Sequence, residues 1–238
     1  MIRIIGWLWW WVIPIRKKLA IANFLAAFPE RDPRELRRTV GELVAGYVDL
    51  LRGRPVHLEG MDLVQQGGLC LAGHGGAWDL GLCAAAMEVP ATIFVRAPSN
   101  RLAAWWITRM RERSGIELLP PRGSALRALR ALKRGRLVVF VQDQRENEGI
   151  AVPFFDRPAR TSRGFATLAL HTRAPVFGAW QWRDEHGQHR LVVERIDLDL
   201  PDPSDTALAD ITRASQAWYE TKIRTAPHSW LWLHDRWR

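Results

Sequence analysis

The sequence LCLAGHGGAWDLGLCAAAME, residues 69–88, contains a complete strand–loop–helix pattern. Its apolar start, LCLAG, is typical of a buried strand, and WDLGLCAAAME has the length and composition of a helix. His74 and the glycine pair that follows it then lie in the connecting loop, at the carboxyl end of the strand. In an open α/β sheet this edge is where ligands bind, so His74 is the first candidate for a functional residue.

Short apolar runs and helical patterns continue to alternate along most of the chain. Because parallel strands need helical crossovers, this order predicts one α/β domain with a mostly parallel central sheet and helices on both faces. The final run alternates apolar and polar residues, and we expect it to be antiparallel or at an edge. The predicted strands are 56–60, 69–73, 91–95, 116–119, 136–141, 174–180 and 190–200, and the predicted helices are 33–52, 78–88, 99–114, 123–135, 163–172 and 205–225.

His74 and Asp79 are candidates for a catalytic base and its orienting carboxylate. Five positions along a continuous helix would separate the two side chains by about 500° of rotation. The flexible pair Gly75-Gly76 lets the chain fold back so that they can meet. A carboxylate on one ring nitrogen fixes the tautomer and leaves the other nitrogen free to accept a proton. With no Ser or Cys nucleophile nearby, the pattern favours direct activation of a substrate hydroxyl.

Simpler interpretations of both residues stay open on the pattern alone. His74 would then be a loop histidine with its hydrogen bonds satisfied, and Asp79 a carboxylate in the first helical turn, where the helix dipole favours negative charge.

Composition bounds the class of protein. The chain has 238 residues, 47% of them apolar and 25% charged, which is ordinary for a folded protein with a sizeable core. Cys70 and Cys83 lie in apolar stretches, which predicts buried thiols in a reducing compartment rather than a disulfide. The seven histidines show no spacing typical of zinc ligands, so we expect no metal and no zinc hydrolase.

Positive charge is concentrated in residues 96–136. This segment holds eleven Arg or Lys residues and two Glu, while the formal net charge of the whole chain is +9. Such a local field attracts an acidic partner, and we expect acyl carrier protein or anionic headgroups there; a solvated helix face is the simpler alternative. Nucleic acid is not expected, because the aromatic residues cluster in apolar segments instead of interleaving with the basic ones.

The N-terminal sequence predicts an interfacial helical segment over residues 1–30, followed by the main domain over 31–238. Its apolar run at 4–15 is interrupted by Pro14 and is shorter than the roughly 20 residues that cross a bilayer. No small-residue cleavage site follows, so no secretory signal is expected. Four Trp between positions 7 and 11, next to Arg16, Lys17 and Lys18, suit a membrane interface, although a buried helix is the alternative.

Several blocks, in the same order, resemble those of the bacterial lipid A lauroyl/myristoyl acyltransferases, within the glycerolipid acyltransferases that carry an HxxxxD/E box. The resemblance covers nearly the whole chain. The blocks are RKKLAIANFLAAFPERDPRELRR (16–38), GHGGAWD (73–79), RMRERSGIELLP (109–120), VVFVQDQ (138–144), GIAVPFFDRPARTSRGFATLALHTRAPV (149–176) and HSWLWLHDRWR (228–238).

The resemblance implies an O-acyltransferase that moves a fatty acyl chain from a thioester, usually on acyl carrier protein, to a hydroxyl of a lipid. It implies His74 as the base and Asp79 as its partner, with no cofactor beyond the acyl thioester co-substrate. Arg111 and Asp143 would shape the acceptor or transition-state site. The residues expected along the substrate cleft are Phe154, Phe155 and Thr161.

Each of these roles has a structural alternative. Arg111 is equally interpretable as a surface arginine on a basic helix, Asp143 as half of a structural Asp–Arg pair, and Phe154-Phe155 as core. The chain also departs from the usual pattern, with Asp where Glu is frequent at position 79 and with no full spanning helix. The acceptor therefore stays open between a lipid A-type and a smaller lipid.

The expected location is peripheral, at the cytoplasmic face of the inner membrane. A catalytically silent lipid-binding or membrane-binding protein on the same scaffold is the alternative to an enzyme, because fold alone does not prove activity.

Overall fold

The computed structural model describes residues 1–95 and 101–237 and contains one seven-stranded sheet. Its strands are β1 (Val56–Glu59), β2 (Gly68–Ala72), β3 (Ala91–Phe94), β4 (Glu117–Leu119), β5 (Leu137–Val141), β8 (Val176–Arg183) and β9 (His189–Arg195). Strands β6 (Ile150–Phe154) and β7 (Arg157–Thr161) form a separate antiparallel hairpin. The helices are α1 (Ile2–Trp11), α2 (Lys17–Ala27), α3 (Leu36–Leu51), α4 (Trp78–Glu88), α5 (Arg101–Arg113), α6 (Ala125–Lys133), α7 (Gly164–Thr172) and α8 (Asp205–Thr225).

The strand order in the sheet is β1-β9-β8-β2-β5-β3-β4. All neighbours in it are parallel except β8 and β9, which are antiparallel. The predicted mostly parallel α/β fold is therefore confirmed, as is the antiparallel orientation of the last strand. β9 is not at an edge, because β1 pairs with it on the outside.

The seven predicted sheet strands and six predicted helices are found near their predicted positions, although the strand predicted over 190–200 ends at Arg195. Positions 99–100 of the helix predicted over 99–114 lie outside the described residues. The helix predicted over 33–52 begins as a 3₁₀ turn at Pro33–Glu35 and continues as α3. Asp32 caps it as expected, because its side chain accepts a hydrogen bond of 2.8 Å from the amide of Arg34.

The hairpin β6–β7 was not predicted, and its turn explains why. Phe155 and Asp156 both have positive φ, 49° and 57°, in a two-residue turn that normally carries glycine or asparagine. Without that signal, and with Pro153 and Pro158 inside the two strands, the segment does not look like a hairpin. The turn is held from outside the hairpin, since the amide of Phe155 donates to Glu220 on α8 at 2.7 Å.

The sheet separates two apolar cores. On one side α4 covers a core that includes Cys70, Cys83 and Ile93. On the other side α7, α8, the hairpin, α2 and the C-terminal tryptophans cover the larger core. Both cysteines are free and buried, as expected.

Helix α1 packs on α3 through glycine. A side chain at Gly6 would lie 2.1 Å from the carbonyl oxygen of Arg37, so only glycine permits this approach. Trp9 and Trp10 are buried in this packing, whereas Trp7 and Trp11 stay exposed. No helix in the described ranges is both long and apolar enough to span a membrane.

Candidate active site

His74 lies where the sequence predicts it, in the loop between β2 and α4 at the carboxyl edge of the sheet. The loop is fixed by Gly76, whose φ is +55° and whose amide donates to the carbonyl of Ser229 at 2.7 Å. The C-terminal segment therefore holds the loop from outside the sheet. The side chain of His74 is 16% exposed, so a substrate can reach it.

The carboxylate that contacts His74 is Asp143. Its Oδ1 lies 2.8 Å from Nδ1 of the ring, and its Oδ2 accepts a 2.7 Å hydrogen bond from the amide of His74. The indole of Trp230 donates to the same Oδ2 at 2.8 Å. Three contacts thus fix one fully buried carboxylate against one histidine.

The electrostatics favour an ionised Asp143. Burial opposes the ionised carboxylate, but the charge of His74 and the hydrogen bonds from His74 and Trp230 outweigh burial and lower the pKa of Asp143. An ionised Asp143 can only accept, so Nδ1 carries the proton. The lone pair then lies on Nε2, which is 3.1 Å from the side-chain nitrogen of Gln144. This is the tautomer that a general base requires.

The prediction that Asp79 orients His74 is wrong in this structure. Asp79 pairs with Arg111 instead, with Oδ1 lying 2.8 Å from Nε and 2.7 Å from a terminal nitrogen of the guanidinium. Both side chains are buried. Burial raises the pKa of Asp79, and Arg111 offsets only part of that effect.

The pairing of strands explains this correction. Ala72 at the end of β2 is in register with Val141 at the end of β5, so His74 and Asp143 both lie two residues beyond the same point. The two side chains meet because two adjacent parallel strands end together. Asp79, in the first turn of α4, is instead reached by α5, which carries Arg111.

Trp78 lies between the His74–Asp143 pair and the Asp79–Arg111 pair. Its ring centroid lies 4.9 Å from that of His74, and the guanidinium carbon of Arg111 lies 4.8 Å from the Trp78 ring. Arg111 is therefore not the surface arginine of the alternative interpretation. It is buried behind the tryptophan that packs on the histidine.

The structure places Phe154, Phe155 and Thr161 in the core, not along a cleft. Phe154 and Thr161 are fully buried and Phe155 is nearly so. Phe154 and Phe155 pack in T-shaped contacts with Trp230 and with Phe28, respectively. Thr161 accepts a hydrogen bond from a buried arginine near the C-terminus, Arg236. The expected position of all three along a substrate cleft is corrected accordingly.

An apolar cavity opens beside His74, between α4 and the sheet. Gly73 and Trp78, on either side of His74 in the sequence, are part of its wall. The space between these walls is about 610 Å³ when the open solvent at its mouth is included. It is lined by Met61, Cys70, Ala72, Gly73, Trp78, Leu82, Ala85, Ala86, Val89, Ala91, Ile93, Leu137, Val139, Val141, Ala179, Gln181, Leu191 and Val193.

Two residues of this centre had received no role from sequence reasoning. Trp230 and Gln144 stood inside sequence blocks that resembled the family, but nothing local marked them as contacts of Asp143 and His74. For metals, the described ranges contain no group of three or more His, Cys, Asp or Glu side chains placed to hold an ion.

A histidine held by a buried carboxylate, beside an apolar cavity whose wall includes its neighbour Gly73 and the Trp78 ring that packs on it, is suited to base chemistry on a substrate with a long apolar part. The chain belongs to the bacterial lipid A biosynthesis acyltransferase family, whose family model matches residues 53–238. The resemblance seen in the sequence is thus confirmed, and the family is one of lipid acyltransferases.

Two further comparisons add little to the family assignment. A solved structure, the 1-acyl-sn-glycerophosphate acyltransferase PlsC from Thermotoga maritima, matches with 15% identity over 94% of this chain and 95% of that chain, at a TM-score of 0.44. At this TM-score the similarity supports no conclusion about the site. A search of curated proteins found no match.

Proposed function

We propose that the protein transfers a fatty acyl chain from an acyl thioester, with acyl carrier protein as the donor, to a hydroxyl of a membrane lipid. His74 is the general base in this proposal, and Asp143 is the carboxylate that orients it. The observation that carries the proposal is the 2.8 Å contact of Nδ1 with buried Asp143, which leaves Nε2 free to act as a base next to an apolar cavity lined by Gly73 and Trp78.

The chemistry balances without a covalent enzyme intermediate. Nε2 of His74 takes the proton from the acceptor hydroxyl as its oxygen attacks the thioester carbonyl. The tetrahedral intermediate then loses the thiolate, which takes the proton back from the imidazolium. Asp143 stabilises the imidazolium between the two steps. The products are the acylated lipid and the free carrier thiol.

Gln144 and Arg111 have positions that suit supporting roles. The side-chain amide of Gln144 lies 3.1 Å from Nε2 of His74. When an acceptor hydroxyl takes this place beside Nε2, the displaced amide is close enough to donate a hydrogen bond to the oxyanion. Arg111, paired with Asp79 and packed on Trp78, places positive charge behind the histidine. We assign these two residues to shaping the acceptor and transition-state site.

The cavity suits the acyl chain, because its wall is almost entirely aliphatic. Gly73 and Trp78 line the end of the cavity next to His74. Ala91 and Leu137, which begin β3 and β5, line its opposite end. Chain length would then be set by the depth between these two ends.

Filling the far end should shorten the preferred chain. Ala91→Leu is expected to shift preference by roughly two carbons, since each methylene excluded from an apolar site costs about 0.8 kcal/mol, or about fourfold in selectivity. Competition between acyl donors of different lengths, with products read by mass spectrometry, measures the shift. Ala169→Leu, in the core on the opposite face of the sheet, is the matched control and should leave the length profile unchanged. If the chain-length profile of Ala91→Leu is unchanged, the cavity does not hold the acyl chain.

The donor is proposed to dock on the basic outer face of α6. Arg127, Arg130 and Lys133 are exposed on this helix, and Arg134 is exposed at its C-cap. Arg127 and Arg134 also face Glu117, at 3.9 and 2.9 Å, which leaves Arg130 and Lys133 as the cations best placed for a partner. Residues 96–100, which the basic segment 96–136 also includes, lie outside the described residues.

Charge reversal on α6 tests this docking. Arg130→Glu with Lys133→Glu should raise the KM for acyl carrier protein about tenfold at low salt, and less at high salt because exposed charges are screened. The control carries the same charge change elsewhere, as Arg195→Glu with Arg213→Glu on exposed sites. If both doubles behave alike, the carrier does not dock on α6.

Peripheral membrane association at the cytoplasmic face is part of the proposal. The exposed apolar side chains of the N-terminal segment include Trp7, Trp11, Ile13 and Ile15, with Arg16 and Lys17 following directly. Indole rings and basic side chains together favour the headgroup region of an anionic bilayer.

A single assay separates this function from a silent lipid-binding protein. Purified protein is incubated with acyl carrier protein thioester and total membrane lipid, and release of free thiol is followed over time. Thiol release that depends on added lipid, with an acylated lipid found by mass spectrometry, supports transfer. Lipid binding without thiol release would support the silent alternative.

A further inference from the structure

A second apolar surface lies outside the N-terminal segment, where α3 and α5 meet. Val44, Tyr47 and Leu51 share one face of α3, because they are spaced by three and four residues. Leu102 and Trp105 share the outer face of α5. The ring contact between Tyr47 and Trp106, with centroids 6.4 Å apart, joins the two helices. We call these six residues, Val44, Tyr47, Leu51, Leu102, Trp105 and Trp106, the α3–α5 surface.

Its outer side chains are unusually exposed for their size. Leu102 is 75% exposed, Leu51 68%, Trp105 62% and Val44 41%. They flank an aromatic contact that is itself only half-buried. Apolar side chains grouped in this way mark a site of interaction.

Arginines surround this apolar centre. Arg101, Arg109 and Arg113 are exposed on α5, and Arg52 and Arg54 are exposed just after α3. Within the described part of the chain none of the recorded ion pairs involves these five. Glu112 is the exposed acid on α5. These five arginines therefore give the edge of the α3–α5 surface a strong positive charge, which fits an anionic partner.

The surface is close to the candidate active site. A cleft runs beneath it, between Leu43, Tyr47 and Leu50 of α3 and the loop and helix start that contain Gly76 and Asp79. Tyr47 lies near enough to Asp79 for that carboxylate to help raise the pKa of Tyr47, second to burial, to about 12. On α5, Arg111 points inward to Asp79 while Leu102 and Trp105 point outward.

We propose that the α3–α5 surface is a second membrane-docking surface, which inserts Leu102 and Trp105 into an anionic bilayer and places the mouth of the active site against it. The proposal rests on the proposed function, because only a lipid acceptor requires the mouth to face the bilayer. Protruding apolar side chains inside a ring of arginines fit a bilayer, which takes up protruding groups without a matching groove, and whose phosphates pair with the arginines.

A fluorescent label at position 102 tests this surface directly. Both native cysteines are buried, and burial raises the pKa of the Cys70 thiol to about 12, so a new surface cysteine takes the label selectively. Leu102→Cys is labelled with an environment-sensitive fluorophore. Trp11→Cys reports on the N-terminal segment, and Leu126→Cys, at a leucine of similar exposure on α6, is the matched control.

The labelled proteins are mixed with vesicles of phosphatidylcholine, alone or with phosphatidylglycerol, and with brominated lipids as quenchers. We expect a blue shift and quenching at position 102 that are stronger with phosphatidylglycerol, and neither at position 126. A response at position 11 without one at position 102 would overturn the second surface and leave N-terminal docking intact. A response at position 102 to acyl carrier protein but not to vesicles would assign the surface to the carrier and overturn the proposal.

An unlabelled double variant provides the functional readout. Leu102→Ser with Trp105→Ser should bind the mixed vesicles roughly tenfold to a hundredfold more weakly, because two large apolar side chains no longer enter the bilayer. Transfer to a vesicle-embedded acceptor should fall with binding, while transfer to a short-chain acceptor free in solution should be unchanged. Equal losses with both acceptors would indicate a damaged site and contradict the proposal.

Discussion

Replacing His74 with alanine should reduce acyl transfer by at least about 10³-fold, because the reaction loses the base that activates the acceptor hydroxyl. Binding of the acyl donor should change little, since its apolar chain is held by the cavity and not by the imidazole. Thiol release from acyl carrier protein in the presence of lipid measures the loss. Thermal unfolding should show a folded protein, because His74 is partly exposed and the hydrogen bond from Trp230 to Asp143 remains.

The chain offers a matched control for this substitution. His189 on β9 is buried and contacts Asp49 through Nε2 at 3.0 Å, so it is a second histidine paired with an aspartate. His189→Ala should lower stability and retain turnover. Wild-type turnover in purified His74→Ala protein would end the assignment of His74 as base.

Asp143→Asn should cause a comparable loss of turnover, about 10³-fold to 10⁴-fold, with little change in KM. Two N–H groups, from Trp230 and from the amide of His74, donate to Oδ2, so the single oxygen of asparagine is expected to face them. The NH₂ group then faces Nδ1 of His74 and makes it an acceptor. The proton is driven to Nε2, and the ring can no longer act as a base.

Asp49→Asn is the matched control, because it makes the same chemical change at the other Asp–His pair. It should lower stability and leave transfer intact. If Asp143→Asn keeps wild-type turnover, Asp143 does not orient the base, whatever its contact with His74.

The loss of stability caused by Asp143→Asn should depend on pH, and its direction follows from the pKa of Asp143. Because the pKa of Asp143 is lowered in the folded protein, its ionised form contributes stability above the unfolded pKa, near about 4, that is lost as the pH falls through the folded value. The difference in the free energy of unfolding between wild type and variant should therefore be largest near neutral pH and shrink in acid. Chemical denaturation at a series of pH values measures it.

The order and type of most elements could be predicted, because they depend on local periodicity. The strand before His74 and the helix from Trp78 to Glu88 follow directly from an apolar run, a glycine loop and a helical pattern. The position of His74 at the carboxyl edge of the sheet follows from the same three features. The β6–β7 hairpin was missed because its turn, at Phe155 and Asp156, lacks the residues that usually signal positive φ.

The partner of His74 could not be predicted from spacing. Asp79 is five residues away in sequence and pairs with Arg111, while Asp143 is 69 residues away and contacts the ring. Which of the two carboxylates meets the ring depends on which strand lies beside β2. That is a property of the whole sheet, because β5 inserts between β2 and β3.

The sequence by itself determined the family, the α/β class and the loop that carries His74. These depend on blocks of residues and on periodicity, which are local and can be recognised in the sequence without the fold. Only the tertiary structure decided that Asp143 faces the base, that Arg111 is buried and that Phe154 and Thr161 belong to the core. Those outcomes depend on strand register and on side chains from α3, α5 and the C-terminal segment, which meet only when the chain is folded.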